Sequence, residues 1–376
     1  MSFRPTPTRR PARRGTARGA GPLAALLLVA GLTGCAGQGE ELDLAALNSE
    51  PVPTEVPDGT ALTFADQSEL VQTQLDASGE QDQLAADVEF ANFRGGPEIL
   101  EAIRADAVDL AFVGDTPPIQ AQAAGEVVPI VAANRYTSPD YQLAVAPGVE
   151  VQTLDDLEGL EIAYSEGTGR QPYVLRALEK AGLSTDDVEL VPLDVATSPD
   201  ALKDGQVDVA ALNEPYLSRY LELPGASQVP ESEIADVSSG LSYLYASGDA
   251  LADDAKAAAI RDFVKHWMLA SRWTEDNPDE WVQAYYVDTQ ALTPEEGREI
   301  VEAEGDLSFP ELDDDLIADQ QVLVDAIYDA GELPEPLDAS EQFATTFNDV
   351  VTETVAEMEQ GGAGGAGRTE DGEATR

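Results

Sequence analysis

Short apolar runs alternate along the chain with polar turns and with helical patterns that mostly stop at a glycine. The predicted strands are 61–65, 87–93, 109–113, 127–133, 160–164 and 207–212, and the main predicted helices are 69–77, 119–124, 171–181 and 216–221. Glycine just past a helix and proline in its first turn are the usual asymmetry of helix ends, so the pattern also predicts boundaries. Short strands alternating with helices indicate an α/β fold, in which parallel sheets carry helices on both faces.

Two further segments, 141–146 and 241–246, alternate in the way expected of strands that cross between two bodies. Beyond residue 253 the pattern is mainly helical. The length of 376 residues is typical of two domains of about 150 residues each. Because a chain that leaves one body and returns makes two crossings, we expect two lobes. Lobe I is predicted at 60–140 plus 242–358, and lobe II at 141–241.

The first 34 residues contain six arginines and no acidic residue. The apolar run at 21–31 is too short to span a bilayer permanently, and a basic stretch before such a run is typical of a secretory signal. The site Leu32-Thr33-Gly34-Cys35-Ala36 resembles the bacterial lipobox, in which cleavage precedes the cysteine and lipid is attached to its sulfur. A plain signal peptide with a chance cysteine is the alternative, but Cys35 is the chain's single cysteine.

These features predict a signal peptide at 1–34 and a lipidated tether at 35–59, which is rich in glycine, proline and acidic residues. Acyl chains on Cys35 would anchor the protein to a membrane surface. The expected location is therefore outside the cell, on the outer face of its membrane. The glycine-rich segment 359–376 is predicted to be a disordered tail.

The charge balance and the rare residue types argue against several functional classes. The chain has 21 Lys and Arg against 72 Asp and Glu, a formal net charge of −51, whereas nucleic-acid binding needs basic patches. One cysteine leaves no disulfide framework and no multi-cysteine metal site. The one histidine, His266, stands in a helical stretch without a nucleophile motif. We therefore expect no nucleic-acid partner, no enzyme activity, no metal and no cofactor.

Ligands of open α/β sheets bind outside the carboxyl ends of the strands. Polar turns follow four predicted strands there, namely Asp66-Gln67-Ser68, Gly114-Asp115-Thr116, Ser165 to Arg170, and Asn213-Glu214-Pro215-Tyr216. Each turn precedes a helix, whose first N–H groups and positive dipole end can bind an anion. The net negative charge does not forbid this, because salt at about 0.15 M screens fields beyond about 8 Å.

The turn from Ser165 to Arg170 has the richest chemistry. Gly167 and Gly169 allow a ligand close to the backbone, and Thr168 has a hydroxyl donor. Arg170 can bind an oxyanion through two parallel hydrogen bonds. No Gly-Lys-Ser/Thr follows, so this is not a Walker loop, and an ordinary strand-to-helix turn is the alternative.

The other turns have equally plain alternatives. Asp115 or Thr116 can be a helix cap followed by proline, and the turn around Gln67 is also compatible with capping. Glu214 can cap a helix or receive a ligand amine. Arg135 follows a predicted strand, where it can meet an anion or simply lie at the surface.

Long segments of the chain resemble the solute-binding proteins of ABC importers for aliphatic sulfonates, a group whose relatives bind taurine, nitrate or bicarbonate. The segments are 88–104, 108–125 with its Gly114-Asp115-Thr116-Pro117-Pro118 motif, 151–164, 178–183 and 204–216. The resemblance extends over about 60–360 and is strongest over 88–216. Together with the lipobox, it identifies the chain as similar to lipid-anchored binding proteins of this group.

The resemblance implies a two-lobe periplasmic-binding-protein fold of the type II kind, which closes on a small anion in the interlobe cleft and delivers it to an ABC permease. Carried over by matching motif, the ligand turns are Gln67 and Ser68, then Asp115 and Thr116, then Gly167 to Gln171, and finally Asn213 and Glu214. The turn that ends at Gln171 would present N–H groups to the sulfonate.

Two positions depart from the pattern of that group. Asn213 stands where relatives often have an aromatic residue, and no Lys-Gly follows Gln67. The alternatives are therefore the same fold with nitrate, bicarbonate or a pyrimidine precursor of thiamine as its ligand, or a receptor domain outside transport. The cysteine-rich signature of the pyrimidine-precursor enzymes does not occur in this chain.

Overall fold

The computed structural model describes residues 42–138, 141–234 and 237–365, with side chains up to residue 360. Cys35, the predicted signal peptide and residues 366–376 lie outside this part of the chain. The described residues form two sheets, one of six strands and one of five. The strands are β1 (Ala61–Asp66), β2 (Asp87–Asn92), β3 (Leu110–Gly114), β4 (Ile130–Tyr136), β5 (Gln142–Val145), β6 (Glu161–Tyr164), β7 (Glu189–Pro192), β8 (Val209–Leu212), β9 (Ser227–Gln228), β10 (Leu241–Ala246) and β11 (Leu307–Ser308).

Helices connect and cover these strands. They are α1 (Leu44–Leu47), α2 (Leu70–Ser78), α3 (Gly96–Arg104), α4 (Thr116–Ala123), α5 (Arg170–Lys180), α6 (Ser198–Lys203), α7 (Tyr216–Leu221), α8 (Glu231–Ile234), α9 (Gly248–Ala252), α10 (Asp254–Asp276), α11 (Pro278–Trp281), α12 (Pro294–Glu304), α13 (Asp314–Asp329) and α14 (Asn348–Gly365). A π-helix, Val282–Thr289, follows α11. Among the described helices, none has the length and apolar character needed to cross a membrane.

The larger sheet has the strand order β11-β4-β10-β3-β1-β2, and the smaller sheet has the order β7-β6-β8-β5-β9. In the larger sheet β1, β2 and β3 are parallel, and in the smaller sheet β6, β7 and β8 are parallel. The strands β5 and β10 are antiparallel to their neighbours, and each is the first strand after the chain passes from one sheet to the other. The predicted α/β class is therefore confirmed.

The strands of the larger sheet come from 61–136 and 241–308, and those of the smaller sheet from 142–228. On this basis we propose the two lobes at 60–140 plus 242–358 and at 141–241. One boundary shifts slightly, because Leu241 begins β10 of the larger sheet.

The core of the larger sheet is formed where α10 covers it with aromatic side chains. Phe263 stacks on Phe64 of β1 with ring centroids 4.8 Å apart, and Trp267 packs against Phe112 of β3 at 5.6 Å. Burying a side chain of this size contributes about 1.5–3 kcal/mol. The helix thereby fixes β1 and β3, and with them the polar turns at their carboxyl ends.

The chain joins this core earlier than the sequence predicts. Asn48 Nδ2 donates to the Phe343 carbonyl at 2.9 Å, and Thr346 Oγ1 donates to the Glu50 carbonyl at 2.6 Å. The predicted tether therefore ends before residue 42 rather than at 59. Its glycine, proline and acidic residues obscured a set of apolar side chains that pack on the core, namely Leu42, Leu44, Leu47, Val52 and Val56.

The last helix, α14, continues to Gly365, beyond the predicted start of the tail at 359. Its buried residues Val350 and Val351 belong to the core of the larger sheet. Once a helix is nucleated, each added residue gains one hydrogen bond, so it can continue into a segment of poor helix formers.

Short edge strands were missed by the sequence prediction. The strands β9 and β11 have two residues each, which is too few to show an alternation.

The strand β4 was predicted at 127–133 but lies at Ile130–Tyr136. Pro129 explains the shift, because proline has no N–H to donate to a neighbouring strand.

The histidine of α10 connects this helix to the segment that follows α2. His266 Nδ1 lies 2.6 Å from Glu80 Oε2, and Nε2 lies 3.6 Å from Asp262 Oδ1. The other Asp262 oxygen accepts from the Ala85 N–H at 2.8 Å. Burial alone would lower the pKa of His266, but the hydrogen bonds to Asp262 and Glu80 raise it above its usual value. His266 therefore has a structural role, as a link between two segments of the chain.

We predict that His266→Gln destabilises the protein more at about pH 5.5 than at about pH 8.5. A histidine whose pKa is raised by folding adds its full stabilisation below its unfolded pKa of about 6.5. This stabilisation is lost as the pH rises through the folded pKa. Urea unfolding at both pH values measures this difference. Lys265→Gln, which removes an exposed partner of Glu357 from the same helix, is the control and should change stability equally at both. An equal effect of His266→Gln at the two pH values contradicts the assignment.

Candidate functional site

A small cavity of about 10 Å³ lies among residues from the connections of both sheets. It is lined by Asp115, Tyr141, Gly169, Pro172, Tyr173, Arg176, Val237, Ser238, Ser239 and Leu323. These residues come from the β3–α4 turn, the start of β5, helix α5, the segment before β10, and α13.

In the β3–α4 turn, Asp115 lines the cavity and Thr116 does not, and both residues are buried. Thr116 Oγ1 donates to Asp115 Oδ1 at 3.1 Å, and Ser239 Oγ donates to Asp115 Oδ2 at 2.9 Å. Burial raises the pKa of Asp115 to about 6, while the hydrogen bonds from Ser239 and Thr116 act in the opposite direction. Asp115 is also the N-cap residue of α4, although its side chain makes no capping hydrogen bond.

The β6–α5 turn satisfies most of its own N–H groups. Gln171 Oε1 accepts from the Gly167 N–H at 2.9 Å, and Thr168 Oγ1 donates to the Ser165 carbonyl at 2.8 Å. Within the turn 167–171, the Gly169 N–H is the one without an acceptor among the described residues. The expectation that this whole turn presents N–H groups to a ligand is therefore wrong, because the side chains of Gln171 and Thr168 bind locally.

Arg170 begins α5 with its side chain buried at 9% exposure. Its Nη2 donates to Asn213 Oδ1, and its Nε has no hydrogen-bond partner among the described residues. Arg170 itself does not line the cavity, but its guanidinium lies over the ring of Tyr141, which does, at 5.1 Å from the centroid. Burial lowers the pKa of Arg170 below its usual value, but an arginine still carries its charge at neutral pH. Since no carboxylate of the described residues pairs with it, this charge is exceptionally costly to bury.

Helix α5 also contributes two residues that the sequence analysis missed, Tyr173 and Arg176. They line the cavity together with the predicted Gly169, at spacings of four and three residues. Residues at such spacings share one helix face. The Tyr173 hydroxyl is buried and has no partner among the described residues, and its ring lies 5.6 Å from that of Tyr141. The sequence could have identified Tyr173 and Arg176, because they lie four and seven positions after Gly169 and therefore on the same face of the helix.

The β1–α2 turn does not offer the predicted anion site. Asp66 is buried at the end of β1 and accepts from the N–H groups of Gln67, Val71 and Gln72 at 2.8, 3.2 and 2.9 Å. The start of α2 is thus occupied by a carboxylate of the chain itself. Ser68 is exposed and Gln67 half-buried, and neither lines the cavity. The capping alternative describes this turn correctly.

The β8–α7 turn has two roles. Asn213 is the hydrogen-bond partner of Arg170, so this turn orients the guanidinium. Glu214 Oε2 accepts from the Ser218 N–H at 3.2 Å in the first turn of α7. Glu214 thus makes the capping contact that the sequence allowed.

Arg135 lies apart from this set of residues. It pairs with Asp319 on α13 and is partly exposed at the end of β4. It does not line the cavity. The position of Arg135 agrees better with a surface arginine than with one that contacts the ligand.

The connections of the two sheets are in contact beside the cavity. A Cβ on Gly167 would lie 2.7 Å from Gln120 Nε2 and 3.1 Å from Pro97 Cγ, so the β6–α5 turn touches α3 and α4. Leu175 of α5 packs with Ile119 of α4 and with α13 in one apolar cluster. The described arrangement is therefore closed around the cavity.

The groups at this site can bind a ligand noncovalently. Its polar lining comprises the Asp115 carboxyl, the half-buried Arg176 guanidinium, the Gly169 N–H and hydroxyls of tyrosine and serine, and the buried Arg170 guanidinium lies beside Tyr141. The histidine is engaged with Glu80 and Asp262 and does not line the cavity. Among the described residues, no three His, Cys, Asp or Glu side chains are grouped to hold a metal ion.

A family model described as NMT1/THI5 like matches residues 86–280, just over half of the chain. A protein of Escherichia coli (strain K12), provisionally named an aliphatic sulfonates-binding protein, is 34% identical over 134 residues, which are 36% of this chain and 42% of that protein. A protein of the same name from Bacillus subtilis (strain 168) is 25% identical over 265 residues, 69% of this chain and 77% of that one. The match thus spans less than half the length of the E. coli relative.

The fold is similar to the crystal structure of the periplasmic aliphatic sulphonate binding protein SsuA from Escherichia coli. The TM-score is 0.68 at 23% identity, over 78% of this chain and 100% of that chain. A likeness at this identity concerns the fold alone. The predicted periplasmic-binding-protein fold is thereby confirmed.

We predict that Gly169→Ala weakens ligand binding by displacing Tyr141. The alanine Cβ would lie 2.6 Å from Tyr141 Oη and 3.1 Å from Cε2, so the ring that packs on Arg170 must shift. Overpacking of this kind costs about 1–3 kcal/mol, or about 5- to 150-fold in affinity if it falls on the binding state. Isothermal titration calorimetry with the ligand measures the loss.

Gly95→Ala is the matched control for this substitution. Gly95 is also the N-cap glycine of a helix, its backbone is extended, and the nearest atom to an added Cβ is 4.0 Å away. It should bind as the unchanged protein does. Wild-type affinity in Gly169→Ala would contradict the role given to Tyr141.

Proposed function

This chain belongs to the NMT1/THI5-like family, and we propose that it is the solute-binding protein of an ABC importer, which captures an aliphatic sulfonate and delivers it to the permease. Binding rather than catalysis is its proposed role. The curated relatives with sulfonate-binding names support the ligand class.

The observation that carries this proposal is the buried guanidinium of Arg170. An ionised group removed from water is costly unless a partner compensates it, and the described residues supply an amide oxygen and an aromatic ring but no carboxylate. An anionic ligand is the missing partner. Arginine suits it because its planar fork matches the oxygens of a sulfonate-like group.

Further donors lie within one turn of α5. The Gly169 N–H and the Tyr173 hydroxyl both lack an acceptor among the described residues, and both residues line the cavity. A sulfonate has three oxygens that accept hydrogen bonds, so Arg170 Nε, Gly169 N–H and Tyr173 O–H supply one donor for each. Tyr141 then packs against the short aliphatic part.

A smaller anion, nitrate or bicarbonate, is the second candidate. The small size of the cavity favours it, because nitrate and bicarbonate need less room than a sulfonate with an alkyl chain. A panel of methane-, ethane- and butanesulfonate with nitrate and bicarbonate separates the candidates. Binding of the inorganic anions alone would keep the importer role and discard the sulfonate.

Delivery to a permease requires a location outside the cell, and we propose that lipid on Cys35 holds the protein at the outer face of the membrane. The lone cysteine at the lipobox-like site supports this part of the proposal. Cys35→Ser should release the full-length protein from the membrane fraction of expressing cells. A variant that stays membrane-bound would contradict the anchor.

We predict that Arg170→Met weakens sulfonate binding at least about tenfold without lowering the free energy of unfolding. A hydrogen bond to a charged group contributes about 1.5–3 kcal/mol, and about 1.4 kcal/mol is a factor of ten. Replacing a buried charge by an apolar side chain of similar length is often neutral or stabilising. Calorimetry gives the affinity, and urea unfolding without ligand gives the stability.

Arg298→Met is the control, since Arg298 is an exposed partner of Asp279. Its affinity should equal that of the unchanged protein. If Arg170→Met retains its affinity, or loses stability and affinity together, Arg170 is a structural residue and the proposed anion site is wrong.

A further inference from the structure

A carboxyl group shares the cavity with two donors of the proposed anion site. Asp115 lines it together with Gly169 and Tyr173, and with Arg176. An ionised carboxylate beside a bound sulfonate would repel it, and the two negative charges would have little water between them. The cavity therefore needs a way to accommodate both groups. The inference drawn from this rests on the proposed function.

The partners of Asp115 are compatible with either protonation state. Its two oxygens accept from the hydroxyls of Thr116 and Ser239, at 3.1 and 2.9 Å. Hydroxyls rotate and can donate or accept, whereas a lysine or an arginine can only donate. No ion pair of the described residues includes Asp115, so no cation at contact distance holds it ionised.

The surroundings of Asp115 contain few charges. Arg176 of α5 faces it across the cavity and favours the ionised form weakly, as the least of the influences on it. Tyr141 and Tyr173 line the same cavity. Tyr243 of β10 also lies close to Asp115. From α13, the neutral Gln320 donates to the Asp115 carbonyl at 2.9 Å and accepts from Tyr243 Oη at 3.1 Å.

We propose that Asp115 takes up one proton from solvent when an anion enters the cavity, and that the carboxylic acid donates its O–H to the anion. The proton is released when the anion leaves. No other bond forms or breaks. The carboxyl would thus change from a repelling group to a fourth donor, and solute capture would be coupled to the external pH.

The sign of the pH dependence follows from burial. In the free protein the pKa of Asp115 is about 6, raised by burial. Below this value the acid is already protonated and the affinity should be constant. Above it each bound anion must bring one proton, so the affinity should fall about tenfold for each pH unit. A sulfonate stays ionised throughout, so the dependence belongs to the protein.

Calorimetric titration with ethanesulfonate tests this at about pH 5.5, 7 and 8. The buffers must be cationic, because buffers that are themselves sulfonates would compete. At about pH 7 the titration is repeated in Bis-Tris and in imidazole, whose different ionisation enthalpies report the number of protons taken up. We expect about one proton per ethanesulfonate in the unchanged protein.

Asp115→Asn should bind with an affinity independent of pH and without proton uptake. Glu304→Gln is the matched control, since burial also raises the pKa of Glu304, to about 7, and its Oε1 accepts from Tyr286 rather than facing the cavity. The control should keep the pH dependence. The proton count needs no variant, so it tests the proposal even if Asp115→Asn folds poorly.

Four results would overturn the inference. A flat affinity with no proton uptake would show that Asp115 does not titrate on binding. Loss of the pH dependence in Glu304→Gln would assign the proton uptake to Glu304 rather than to Asp115. Loss of binding at every pH in a folded Asp115→Asn would make the carboxylate an acceptor for the ligand. Absence of ethanesulfonate binding even at about pH 5.5 would instead refute the proposed ligand class, and this inference with it.

Discussion

A positive charge buried without a negative partner among the described residues is the constraint on which this site depends. Arg170 is removed from water at the start of α5, and its neighbours satisfy it incompletely: Asn213 takes one N–H and Tyr141 covers one face. Both neighbours come from other strands of the smaller sheet, from the end of β8 and the start of β5. The sheet thus holds a charge that would be more stable in solvent. Such an arrangement is costly to fold and useful only when an anion completes it.

The same constraint explains how so acidic a chain can bind an anion. The net charge is −51, yet Arg176 of α5 lines the cavity and the buried Arg170 lies against Tyr141, which also lines it. Distant surface carboxylates are screened by salt, whereas a buried guanidinium acts over a few ångströms in a medium of low dielectric. Local placement therefore outweighs composition. Asp115 is the exception inside the cavity, and its neighbours are hydroxyls rather than cations.

The sequence predicted the α/β fold and the turns that carry the site, because strand and helix periods, glycine stops and proline starts are local signals. It overestimated how many N–H groups at the helix N-termini are free to bind an anion. Whether a terminal N–H is free depends on which side chain reaches it, and here Asp66 and Gln171 reach theirs. Tyr141 and Ser239 could not be assigned to the cavity, because each follows a passage of the chain between the sheets and meets α5 or α4 only in the folded state. The apolar residues before Val56 were hidden among prolines and acids.

The most direct test of this account is a crystal structure of the protein grown with ethanesulfonate. We expect one sulfonate oxygen within about 3 Å of Arg170 Nε, with the Gly169 N–H as a second donor. Such density would identify the buried guanidinium as the group that selects the ligand. A sulfonate bound elsewhere, with Arg170 still contacting Asn213 and Tyr141 alone, would contradict the central claim.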